Sequence, residues 1–309
     1  MVHKSTPKRE FMLTILIDEK EHSRRVDSLL RNLLPGAPLS YLRKLLTSGH
    51  IHLNGATPEG ATLLRQGDRV TIKESARLTA LYKENRSGLD IVFEDQWVIL
   101  FNKPGGMPMH RAAEVDDRNL VDVGTLLQKG RGEEGKLRPV NRLDRGTSGV
   151  VILAKSPSAA GMFGRFVKEE GLDKLYLAVV AGELSGRGRI DEPLGGKEAS
   201  TLYRVLCSGN GMAVVALAPV TGRMHQIRQH LTLIGHPVMG DLRYKGYPLP
   251  TSFPGFALHS FRTAFTHPAT GNLETVCAPL PIPFQELIAT CDREAFALLY
   301  PALVDLTLN

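Results

Sequence analysis

The sequence predicts an α+β protein with a largely antiparallel sheet, preceded by a small α/β module. Three observations predict it. Strand patterns outnumber helix patterns and often follow one another directly, which favours antiparallel neighbours over crossover units. Near the N-terminus, two short helix patterns lead straight into hairpin signals, and no repeat recurs at a fixed period. The charge is also uneven. Residues 1–88 hold 15 Lys+Arg against 9 Asp+Glu, whereas residues 89–309 hold 23 of each, so the whole net +6 sits in the first segment. A small basic module on a neutral larger domain suggests a grip on a polyanion, with mere solubility as the plainer alternative.

The 309 residues suffice for one large domain and a small one, and the 42% hydrophobic content suffices for a real core. No apolar run approaches the ~20 residues that span a bilayer. The start, MVHKSTPKRE, is charged and shows no secretory signal. Cys207, Cys277 and Cys291 are widely spaced and form no CxxC, which argues for a reducing, cytoplasmic setting and against a disulfide framework or zinc ribbon. A monomer with no membrane partner is expected.

Taken in order, residues 1–22 read as a tail, disordered over 1–10. Val26, Leu29, Leu30, Leu33 and Leu34 have amphipathic helix spacing, stopped by Pro35 and Gly36. Ser40 is a candidate cap for a second helix with Leu42, Leu45 and Leu46 inward and Arg43 and Lys44 outward. HIHLNGAT reads as a strand entering an Asn-Gly turn, and RQGDRVTI as a second turn and strand. Residues 23–73 thus make one compact module, residues 74–88 a polar linker, and residues 89–309 the large domain. There, DIVFEDQWVILFNKPGG gives two strands about a turn at Glu94-Asp95-Gln96. NLVDVGTLLQKG and SAAGMFGRFVKEEG read as helices. DKLYLAVVAGEL, STLYRVLCS, GMAVVALAPV and LHSFRTAFTHP read as strands. TGRMHQIRQHLTLIGHP reads as a helix capped by Thr221, with Met224, Ile227, Leu231 and Ile234 on one face.

Several chemical motifs fail on inspection. GRGEEGK matches the spacing of a phosphate loop but is followed by Leu137 rather than Ser or Thr, carries Glu133 and Glu134, and follows a helix pattern; it reads as a surface turn, and a nucleotide hydrolase is disfavoured. GTSGV misplaces the glycines of a hydrolase elbow around Ser148. His225, His230 and His236 lack the spacing of a metal pair on one helix face. No metal and no nucleotide cofactor is expected.

With those sources set aside, side chains must carry the chemistry. In NRLDRGTSGVVILAK, residues 141–155, Asp144 lies between Arg142 and Arg145 at the mouth of an apolar strand. A carboxylate there is a candidate nucleophile or general base, which a nearby arginine aims; an Arg-Asp pair capping a turn is the structural alternative.

This stretch resembles the HRLDxxTSG signature of RluA-type pseudouridine synthases. FNKPGGMPMH, DKLYLAVVAG, TGRMHQIRQHLTLIGHPVMGD and LHSFRTAFTHPATGNLE resemble further family segments in the right order. Residues 23–73 resemble an S4 RNA-binding domain through RVDSLL, LRKLLTSGHIHLNG and LRQGDRVTI. The resemblance implies isomerisation of uridine to pseudouridine in RNA, without a cofactor. It implies Asp144 as the essential carboxylate, by attack on the anomeric carbon or removal of a sugar proton. Tyr176 is then the active-site tyrosine, stacking on the uracil or helping to deprotonate carbon five, and Arg228 the partner of Asp144. Arg142 is implied as the residue entering the RNA stack, Arg145 as a phosphate contact, and Arg43 and Lys44 as RNA phosphate contacts of the module. Leu258 and His259 are expected to be structural. Asn141 and Met224 depart from the family's usual histidine and threonine and point to an altered RNA context. Large-subunit ribosomal RNA is the expected substrate; transfer RNA, or a non-catalytic RNA-binding or ribosome-assembly role on the same fold, are the alternatives.

Overall fold

The computed structural model describes residues 11–17, 22–33, 39–73, 89–110 and 119–308. The expected disordered stretch 1–10, the linker 74–88 and the helix stop at Pro35-Gly36 lie outside the described residues. Two compact units emerge: Met1–Leu89 with His110–Gly135, and Asp90–Met109 with Lys136–Asn309.

The first unit carries strand β1 (Phe11–Leu16), helices α1 (Val26–Leu33) and α2 (Leu39–Thr47), and strands β2 (Ile51–Leu53) and β3 (Arg69–Lys73). The sheet order is β1-β3-β2, antiparallel throughout. The expectation of a tail over residues 1–22 is therefore corrected: β1 pairs along the outer edge of β3, and Ile15 and Ile17 are buried. Lone strands without a partner in the nearby sequence are hard to read, because pairing is a tertiary event. Helices of eight and nine residues are marginal alone. They persist because Val26, Leu29, Leu30, Leu42, Leu45 and Leu46 bury against Ile51, Val70 and Ile72. Each such burial contributes roughly 1.5–3 kcal/mol. The Asn-Gly turn forms as read. Asn54 (φ 51°) and Gly55 (φ 87°) both take left-handed dihedrals, as a two-residue hairpin of the primed type requires. Ser40 is not a cap, because α2 already includes Leu39; cap position is readable from sequence only to within a residue or two.

Helix α3 (Leu120–Lys129) forms as expected, with Asn119 as its cap: its Oδ1 accepts from the Asp122 amide at 3.0 Å. Its grouping is a correction. It belongs with the N-terminal unit rather than the large domain, and Leu126 packs on that unit's core. The GRGEEGK segment after it is a turn, with Gly132 and Gly135 at positive φ.

The second unit is built on a ten-stranded sheet. Its strands are β4 (Asp90–Glu94), β5 (Val98–Lys103), β6 (Arg138–Pro139), β7 (Ser148–Ala154), β8 (Asp173–Ala181), β9 (Arg187–Ile190), β10 (Thr201–Gly209), β11 (Met212–Pro219), β12 (Leu258–Thr266) and β13 (Leu273–Cys277). The main path runs β4-β5-β7-β12-β8-β11-β10-β9, with β13 on β12 and β6 on β7. Every pairing is antiparallel except β7 with β12, so the α+β, largely antiparallel expectation holds. Helix α4 (Pro157–Glu169) is capped by Ser156, whose Oγ accepts from the Ala159 amide at 3.1 Å, and it buries Phe163 against Val98, Leu100, Val150 and Ile152. Helices α5 (Gln226–Leu233) and α6 (Ile282–Leu299) complete the unit. Strand β7 is buried along its whole length, which explains its unbroken apolar run.

The parallel join of β7 to β12 needs two features of the GTSG turn. Gly149 has φ 108°, and a Cβ there would collide with the Ser260 backbone. Ser148 Oγ lies 2.8 Å from His259 Nδ1, while His259 Nε2 lies 3.1 Å from the Ala278 carbonyl oxygen. The Nε2–H therefore donates to Ala278, and the Ser148 hydroxyl donates to Nδ1. Burial pulls the His259 pKa down to about 4, so the ring is neutral. This buried pair joins two strands and presents no nucleophile. Among the described residues, no helix is long and apolar enough to cross a membrane.

Candidate active site

Asp144 stands in the loop before β7, where its carbonyl accepts from the Thr147 amide at 3.1 Å and closes a tight turn. Its side chain is 28% exposed. Oδ2 accepts from Arg228 Nη1 at 2.7 Å. Arg228 lies on α5 and is itself buried. Its other edge grips Asp241 with a two-pronged fork: Nε to Oδ2 at 2.6 Å and Nη2 to Oδ1 at 2.9 Å. The guanidinium also lies over the rings of Tyr244 and Phe256, at 4.9 and 4.4 Å from their centres. Burial opposes its charge, but Asp241 and then Asp144 outweigh burial and hold its pKa above the ordinary value. Arg228 is thus pinned on every side before any substrate arrives, and it presents one N–H to Asp144.

Lys103, at the end of β5, is fully buried beneath the same loop. Its Nζ donates to the carbonyls of Pro104 (2.9 Å), Met107 (2.7 Å) and Arg145 (3.1 Å). Burial lowers its pKa to about 7, and the charge of Asp144 works the other way. The lysine ties the FNKPGGMP turn to the backbone of the Asp144 loop.

Tyr176 sits on β8, opposite Ser260 of β12 in the ladder. Burial raises its pKa to about 12; Ser260 opposes the rise and Asp144 adds to it. The fold brings Asp144 and Arg228 into direct contact, and the charge of Asp144 is felt at Tyr176.

The remaining candidates are placed as follows. Arg142 and Arg145 are exposed, and Arg145 Nε donates to the Gly106 carbonyl at 3.0 Å. Arg43 and Lys44 are exposed on α2 in the other unit. Asn141 does not face outward as a determinant of RNA context would. It is buried, and its Oδ1 accepts from the Ile152 amide at 2.8 Å, pinning the loop to β7.

The helix expected from Thr221 onward starts at Gln226, and this is a correction. The buried Gln226 side chain takes over the loop: Oε1 accepts from Thr221 Oγ1 (2.6 Å) and from the Arg223 amide (3.0 Å), while Nε2 donates to Ser200 O and Thr201 Oγ1. Met224 is consequently not on an apolar face but 74% exposed. The three histidines point to three different places. His225 Nδ1 lies 2.9 Å from Tyr244 Oη, His230 Nδ1 2.9 Å from Thr201 Oγ1, and His236 Nδ1 3.0 Å from Ala181 O. Among the described residues, no group of three or more His, Cys, Asp or Glu is placed to hold a metal.

Comparison with known proteins bears directly on this arrangement. Residues 97–233 match the family model described as RNA pseudouridylate synthase. The ribosomal large subunit pseudouridine synthase C of Buchnera aphidicola subsp. Schizaphis graminum is 30% identical, over 89% of this chain and 96% of its own length. The chain belongs to the RNA pseudouridylate synthase family. The ribosomal large subunit pseudouridine synthase D of Vibrio parahaemolyticus is 27% identical, over 88% of this chain and 92% of its own. Human RNA Pseudouridylate Synthase Domain Containing 4 shares the fold, with a TM-score of 0.53 at 23% identity, over 66% of this chain and 93% of its own.

The family match contains Asp144, Tyr176 and Arg228 but ends before Asp241, Tyr244 and Phe256. Sequence reasoning missed these three, together with Lys103 and His225. Asp241 did carry a signal, as the last residue of the GHPVMGD segment. The aromatic pair over Arg228 carried none, because Tyr244 comes from a single 3-10 turn and Phe256 from the irregular stretch after it.

Proposed function

We propose that this pseudouridine synthase isomerises uridine in large-subunit ribosomal RNA, with Asp144 acting on the ribose. The observation that carries the reading is the Asp144 carboxylate itself: part exposed, one oxygen held by the buried Arg228, the other open. The reaction breaks the bond between the uracil nitrogen and the anomeric carbon, turns the base, and joins its carbon five to the sugar. Nothing is oxidised, so side chains suffice. Asp144 either attacks the anomeric carbon or takes a sugar proton, and Arg228 aims it in both cases. The base must leave its stack first, at a few kcal/mol, and the exposed Arg142 is suited to fill the gap. Tyr176 offers its ring to the extruded uracil. Ribosomal RNA is favoured because relatives that this chain spans almost completely bear that substrate in their names.

The test is to map carbodiimide-reactive pseudouridines in cellular RNA with and without this protein. One or more large-subunit positions should disappear without it. An unchanged ribosomal map would overturn the substrate.

The N-terminal unit serves in this reading as an S4-like RNA grip, through Arg43 and Lys44 on the outer side of α2. Reversing both charges (Arg43→Glu with Lys44→Glu) should weaken RNA binding. It should also flatten the plot of log affinity against log salt by about 1.5, as the loss of two phosphate contacts dictates. An identical salt slope would remove those residues from the interface.

A further inference from the structure

His225 is an unassigned group close to the Asp144 carboxylate. It precedes α5 in a left-handed backbone conformation (φ 54°, ψ 25°), which a non-glycine residue adopts at an energetic cost. Its Nε2 lies 3.7 Å from Asp144 Oδ1, the oxygen that Arg228 does not hold. That distance exceeds a hydrogen bond. The ring's other nitrogen is engaged with Tyr244 Oη at 2.9 Å, and the two rings meet edge to face at 5.7 Å. The side chain keeps 14% of its surface exposed, beside the 28% of Asp144.

The tautomer follows from electrostatics. A carboxylate faces Nε2, so the proton belongs there, and Nδ1 accepts from the Tyr244 hydroxyl. Burial lowers the pKa of His225, against the pull of Asp144 and Asp241 and with the help of Arg228 and Arg243, which favours the neutral ring. The site therefore holds an oriented N–H donor beside the carboxylate oxygen that Arg228 does not hold, and among the described residues no acceptor lies within hydrogen-bond distance of it.

We propose that His225 is a substrate-positioning residue whose Nε2–H donates to the 2′-oxygen of the target ribose, with Tyr244 orienting the ring. This rests on the reading of Asp144 as the group acting on the sugar. Whichever route Asp144 takes, its free oxygen must approach the anomeric carbon or its neighbour. The 2′-oxygen lies one bond from that neighbour. A donor 3.7 Å from Oδ1 is thus placed to hold it. The 2′-hydroxyl is also the group by which a protein tells RNA from DNA at one nucleotide. The site would then sense ribose directly at the reacting residue.

The experiment is a cycle between residue and substrate. The probe is the ribosomal RNA fragment containing a mapped uridine, made once with ribose and once with 2′-deoxyribose at that nucleotide. Both probes carry pseudouridine, the reaction product, at that nucleotide, so binding is measured with Asp144 intact and no net reaction occurs. With His225 present, the ribose form should bind about 3- to 10-fold more tightly, as one hydrogen bond provides. His225→Asn tolerates the left-handed backbone but is too short to reach, and it should reduce that preference to under about twofold. Tyr244→Phe should reduce it in part. A merely structural histidine would weaken both RNAs equally and leave the preference intact, which overturns the inference. Turnover of the ribose RNA with uridine at that nucleotide by the wild-type protein separates the two readings. Turnover with an unchanged preference sinks only the role of His225, whereas no turnover sinks the synthase substrate as well.

Discussion

Asp144→Asn is expected to lower the rate of pseudouridine formation by on the order of 10³-fold or more, while RNA affinity stays within about twofold. The substitution conserves shape. The amide oxygen can still accept from Arg228 Nη1, and Arg228 keeps its fork to Asp241. The turn closed by the Asp144 carbonyl and the Thr147 amide involves only backbone. What is lost is a charged oxygen able to attack carbon or take a proton. Single-turnover assays on the mapped RNA fragment, paired with equilibrium binding, measure both halves of the expectation. Turnover near the wild-type rate would remove Asp144 from the chemistry. A large loss of affinity would instead make it a binding residue.

Arg228→Met is expected to have the largest effect on stability. Asp241 is 2% exposed and Arg228 is its buried counter-charge. Removing the arginine leaves a buried carboxylate unpaired, a change that typically destabilises by about 3–5 kcal/mol. It also removes the guanidinium that lies over the Tyr244 and Phe256 rings. Activity will fall too, and that fall alone does not separate a folding defect from a lost aim on Asp144. The double variant Arg228→Met with Asp241→Leu separates them. It removes both buried charges, and its urea midpoint should return most of the way to wild type. Its turnover should stay low, because Asp144 still lacks the N–H that orients it. Recovery of turnover in the double variant would show that Arg228 serves the fold only.

Some of this site was legible in residue order. The RLD triplet before an apolar run placed a carboxylate at a strand mouth, and β7 is that strand. Arg228 could be read as lying off the apolar stripe of its helix. Tyr176 was visible only as a strand residue, and resemblance supplied its role. Asp241, Tyr244, Phe256 and Lys103 were not readable as partners. The GHPVMGD segment marks Asp241, but the 12 intervening residues do not announce that it will turn back onto Arg228. The start of α5 was misread because Gln226 satisfies the loop through contacts to Ser200 and Thr201, some 25 residues away. The strand over residues 11–16 was missed for the same reason, since its partner is β3, more than fifty residues later.

The amino-acid order by itself determined the type of most elements, the Asn54-Gly55 hairpin, the apolar faces of α1 and α2, and the uneven charge. These depend on dihedral preferences and on periods of two or 3.6 residues, which act over a few neighbours. Only the tertiary structure decided that Asp144 meets Arg228 across 84 residues, that Asp241 shares that arginine, and that α3 belongs with the N-terminal unit. Sheet register and loop closure set those meetings, and both arise from burial summed over the whole chain.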